Sequence, residues 1–102
     1  MPDPAEVEEI AGQILIAFGQ GAGAIRVPRV TIRTMRAYFT RFAAKALPRW
    51  DKDGTEALER VRLMGRLAAQ IAVGRGSLEL GGEDFTKAAD TVRLVSMTDL
   101  CN

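Results

Sequence analysis

Apolar side chains recur along most of this chain at the three-and-four spacing of a helix rather than the alternation of a strand. Val7, Ile10, Ala11, Ile14 and Phe18 form the first such face, and Leu15, Ile16 and Ala17 widen it, so this helix is predicted to be buried on more than one side. Asp3-Pro4 ahead of it sets a capping carboxylate before a proline at the first helical position. Glu6, Glu8 and Glu9 follow where the positive end of the helix dipole favours them. Gly19, Gly21 and Gly23 are expected to end the helix.

A second helix is predicted from Ile32 to Leu47, capped by Thr31, with Ile32, Met35, Phe39, Phe42, Ala43 and Ala46 on one face. Pro48 should stop it, and Trp50-Asp51-Lys52-Asp53-Gly54 reads as a connecting turn. Thr55 is placed to cap a third helix from Glu56 to Val73, with Ala57, Val61, Met64, Ala68, Ile71 and Ala72 inward and Gly74 and Gly76 at its end. A fourth runs from Glu83 to Met97 behind Phe85, Ala88, Ala89, Val92 and Val95. Ala24–Val27 and Ser77–Leu80 are candidate strands, too short to be stable unpaired. The expectation is an all-α fold: one compact four-helix domain over residues 1–102, its two short strands paired within the chain or across a dimer. Ile10, Ile14, Phe18, Met35, Phe39, Phe42, Val61, Met64, Ala68, Ile71, Phe85 and Val92 are its predicted core.

Composition narrows the chemistry. The 102 residues are 47% hydrophobic and 26% charged, ordinary for a globular protein, and include no histidine and one cysteine, Cys101. Histidine-based triads, Cys–His dyads, zinc sites of normal ligation and disulfide frameworks are thereby excluded. Asp51-Lys52-Asp53-Gly54 resembles part of a calcium loop, but the first and twelfth positions would be Arg49 and Arg60, where acidic ligands are needed. Gly19-Gln20-Gly21-Ala22-Gly23 lacks the lysine and hydroxyl of a phosphate loop and follows a helix, not a strand. No carboxylate pair or activated thiol stands out, so a non-enzymatic protein without metal or cofactor is expected. The start is acidic-leaning, and the longest apolar run, Ile14 to Phe18, is far short of a membrane span. These features point to a cytoplasmic chain with no membrane partner.

Charge is where the chain is uneven. Residues 1–25 carry four acids and no base; residues 26–50 carry Arg26, Arg29, Arg33, Arg36, Arg41, Lys45 and Arg49 and no acid. A formal net charge of only +1 conceals this polarity. On the second helix, Arg29, Arg33 and Arg36 fall within about 60° of one another at helical spacing, and Arg41, Lys45 and Arg49 cover the rest of the polar side. Eleven of the fourteen cations are arginine, the fork suited to phosphate and carboxylate. Three readings fit: a solvated face neutralised by acidic helices, a nucleic-acid phosphate surface, or a dock for an acidic protein or anionic membrane. Tyr38, between the basic and apolar faces, is placed to stack on a base. Leu15, Ile16, Leu63, Leu78 and Leu94 fall off the main stripes, more apolar surface than a small monomer exposes, and so predict a homodimer.

In the C-terminal half, the alanine-rich stretch Ala68-Ala69-Gln70-Ile71-Ala72-Val73-Gly74-Arg75 is followed by Leu80-Gly81-Gly82-Glu83-Asp84-Phe85-Thr86-Lys87-Ala88. This pattern resembles the second loop and last helix of histone-fold proteins. It equally resembles the helical lid of AAA+ ATPases of the minichromosome-maintenance and MoxR types, whose penultimate lid helix opens much like Pro28-Arg29-Val30-Thr31-Ile32-Arg33-Thr34-Met35. The chain departs from the first at Pro48–Gly54, which splits the central rod, and from the second in lacking a Walker lysine. The resemblance implies that Arg75 and Ser77 are the loop positions nearest phosphate and that Asp84 caps the last helix. Arg26, Arg29, Arg33, Arg36, Arg41, Lys45 and Arg75 are thus the expected contacts of a nucleic-acid-binding protein, nucleoid-associated or regulatory. The alternative is an interaction module (an adaptor, inhibitor or small subunit) that docks an acidic partner surface on the same face.

Overall fold

The computed structural model describes residues 3–94. Asp3 caps the first helix, α1 (Pro4–Ala22): its carboxylate accepts the Ala5 N–H at 3.0 Å. The helix runs on through Gly19 and Gly21 to end at Gly23, whose φ of 72° suits a residue without a Cβ. Of the three glycines expected to end the helix, Gly23 does so, while Gly19 and Gly21 lie within it. Gly21 serves packing instead: a Cβ there would sit 1.9 Å from the Arg62 carbonyl oxygen. At the same crossing, a Cβ on Gly65 would sit 2.2 Å from the Phe18 carbonyl oxygen. Two glycines on facing helices let the backbones touch.

After Gly23 the chain makes a single parallel bridge, Arg26 to Glu79, and the Leu80 N–H donates to the Arg26 carbonyl at 2.8 Å. The two predicted strands reduce to this one pairing, made within the chain. Helix α2 spans Arg29–Ala46 with Pro28 as its N-cap. Thr31 does not cap it. It lies inside the first turn, buried, and its hydroxyl donates to the Leu80 carbonyl at 2.9 Å, fastening α2 to the bridged segment.

Leu47–Arg49 form one 3-10 turn, and α3 then runs from Trp50 to Gly74. Pro48 breaks the α-helical ladder, because it has no amide to donate, but its fixed φ is compatible with a 3-10 turn. The expected connector at 50–54 is therefore the first turn of α3, and Thr55 lies within the helix rather than capping it. The Trp50 indole lies over Gly54, where a Cβ would meet the ring at 3.1 Å. Helix α4, Gly82–Val92, ends at Arg93 in the left-handed conformation (φ 58°, ψ 52°), short of the expected Met97. The inward position assigned to Val95 lies outside the described residues.

The fold is all-α, as the periodicity indicates. α1 packs along α3 and also against α2, α4 closes over α3 and α2, and α2 touches α3 little. All twelve predicted core residues except Ile71 and Val92 are buried, and those two are half-buried against the same cluster. Leu80 and Leu94 join them, so Leu94 is core and not dimer surface. At the centre, the Phe85 ring meets Phe18, Phe39 and Tyr38 at centroid distances of 5.6, 5.5 and 5.5 Å, all edge-to-face. Such contacts add to the area term that drives burial.

Candidate functional site

Helix α2 carries no acidic residue, and its buried side is Thr31, Met35, Phe39, Phe42, Ala43 and Ala46. The periodicity of 100° per residue leaves Arg29, Arg33 and Arg36 as a ridge on one flank of the outward side. Arg41 and Lys45 stand on the other flank, and all five are exposed. Arg29, Arg33, Arg36 and Arg41 make no hydrogen bond or ion pair with any of the described residues. The idea that acidic helices neutralise this face is thus unsupported for these four among the described residues. One carboxylate does come near: Glu8 of α1 lines the same groove of about 320 Å³ as Arg36 and Thr40, with Ala11, Leu15 and Phe39 as its apolar wall.

Among the seven expected contacts, Arg26 and Arg75 are engaged away from α2. Arg26 stands apart from α2 on the bridged segment and pairs with Glu79 at 3.2 Å, both side chains well exposed. Such a pair is weak and leaves the arginine exchangeable. Arg75 is different. Its Nε and Nη2 donate to the two carboxylate oxygens of Asp84 at 2.8 and 2.6 Å, so its fork is committed within the chain. Asp84 is wholly buried and also accepts the Gly81 N–H at 2.8 Å, the capping role expected of it. The Arg75 hydrogen bonds hold the Asp84 carboxyl below the usual carboxylate range, against the opposing effect of burial, with the Gly81 amide adding to them. Arg75 is pushed upward by the same hydrogen bonds. Ser77 is occupied too: its hydroxyl donates to the Glu79 carbonyl at 2.6 Å and accepts the Glu79 amide.

Tyr38 is half-buried, its ring edge-to-face with Phe39 and Phe85, which takes it from the base-stacking role into the core. Sequence reasoning missed the Arg75–Asp84 clamp. The two residues lie nine apart across an irregular loop, where no helical or strand period links them. The described residues contain no group of three or more acidic or cysteine side chains placed to hold a metal, and no helix among them is long and apolar enough to cross a membrane. Comparison with family models, with curated proteins and with solved structures gives no match.

Proposed function

We propose that this protein binds nucleic acid through the phosphate backbone, using the exposed face of α2, and acts without catalysing a reaction. The observation that carries this reading is a helix with four exposed arginines, Arg29, Arg33, Arg36 and Arg41, that have no acidic partner among the described residues. A face of this kind attracts a polyanion, because each neutralised phosphate releases condensed counterions. Arg26 offers a separate contact on the bridged segment once its exposed pair with Glu79 opens, whereas Arg75 is left out, being held by Asp84. Contacts of this kind position a duplex without reading its bases, so little sequence preference is expected. A fluorescence-anisotropy titration against unrelated duplex DNA at two salt concentrations tests the reading. Binding at low salt that weakens steeply at high salt is expected; no binding at low salt by the folded protein overturns it and favours an acidic protein partner on the same face.

A further inference from the structure

Helices α3 and α4 leave a groove of about 510 Å³ between them, on residues that the α2 surface does not use. Leu63, Leu67 and Val92 line it with apolar surface, and Arg60 and Arg66 supply its charge. Among the described residues, no acidic side chain lines it. Leu63 is 54% exposed and adds to the apolar wall of the groove. Arg66 has no ion pair among the described residues, and Arg60 has only a long one, 3.6 Å to Glu56, on the surface.

The outward side of α1 offers an exposed apolar residue and the opposite charge. Ile16 is 65% exposed there, and Glu9 lies on the same line two turns earlier, with Gln13 between them. α1 carries three glutamates and no cation. Neither Glu6 nor Glu9 has a partner among the described residues. We propose that the α3–α4 groove takes the outward side of α1 from a second copy of this chain, Ile16 entering against Leu63 and Leu67 and Glu9 reaching Arg66. Glu9 is about 10 Å from Ile16 along the helix axis. Arg66 lies one turn beyond Leu63, and its long stem covers the remaining distance. Both copies carry both surfaces, and the proposed arrangement is the two-fold one, in which each groove is filled by the other copy and the assembly closes at two chains rather than growing head to tail.

Sedimentation equilibrium over a wide concentration range tests this. The expected result is a mass rising to twice the 11.1 kDa of the chain and no further, with a dissociation constant that grows with salt. Glu9→Arg and Arg66→Glu should each weaken dimerisation at least tenfold, and the double charge swap should restore it, with circular dichroism confirming that each variant is folded. Leu63→Glu should leave only monomer. A wild-type mass of one chain at every concentration overturns the proposal, as does a dimer that survives both single reversals unchanged.

Discussion

The buried carboxylate of Asp84 shows how one side chain can hold an irregular segment in place. It satisfies the Gly81 amide at the start of α4 and both donors of the Arg75 fork, so the loop after α3 is fixed at both ends by one group. Asp84→Ala leaves those donors without their partner and should cost about 1–3 kcal/mol, seen as a lowered thermal midpoint. The clamp also carries a pH dependence. The folded carboxyl titrates below its unfolded value of about 3.9, so its contribution is complete above that value and is lost as pH falls through the lower, folded one. Asp84→Asn should therefore flatten the fall in thermal midpoint below about pH 4 relative to wild type. Phe39, fully buried among three other rings, is the converse case, an interaction with no titratable part. Its truncation to alanine should cost about 3–5 kcal/mol at any pH, measured by denaturant unfolding. Phe39 is legible from helical spacing alone. The clamp is only half legible: Asp84 looks like a helix cap in sequence, but its arginine is found only by folding the loop.

Among elements, the crossing of α1 and α3 depends on glycines whose role the sequence hides. A glycine near the end of an apolar stripe looks the same whether it terminates a helix or admits a neighbouring backbone. Gly23 does the first and Gly21 the second, and only the tertiary contact with Arg62 separates them. Gly21→Ala or Gly65→Ala should destabilise the protein by about 1–3 kcal/mol or more by forcing the helices apart. The two effects should be less than additive, since they strain the same crossing. Gly12→Ala is the control: nothing lies within 4 Å of the added methyl, and it should stabilise by about 0.5–1 kcal/mol through helix propensity. Equal destabilisation by all three would contradict this assignment. Pro48 poses the same ambiguity. It marks the end of α2 correctly, but a proline is equally compatible with a loop and with the 3-10 turn that it joins here, which leads straight into α3.

Across the whole molecule, uneven charge is the most informative property, and it is legible in the order of residues alone. Residues 26–50 hold seven cations and no acid, and folding gathers five of the cations onto the outward side of α2. Folding also sorts the remainder in a way that residue order does not: Arg26 is loosely paired on the bridged segment and Arg49 sits in the 3-10 turn paired with Asp53, while Arg75, farther along the chain, is locked to Asp84. The exposed apolar residues are sorted likewise. Ile16 and Leu63 stay at the surface while Leu94 goes to the core, because burial there follows from the turn after α4 and not from helical period. The claim that matters most is that the α2 arginines are phosphate contacts and not simply solvated. It is tested most directly by the salt dependence of duplex DNA binding, wild type against a variant with Arg29, Arg33 and Arg36 all replaced by glutamine. Glutamine is nearly as good a helix former as arginine, so α2 should keep its helix content. Three lost phosphate contacts should flatten the slope of log affinity against log salt by about 2–3 units. An unchanged slope in the folded variant would mean that these arginines do not touch phosphate.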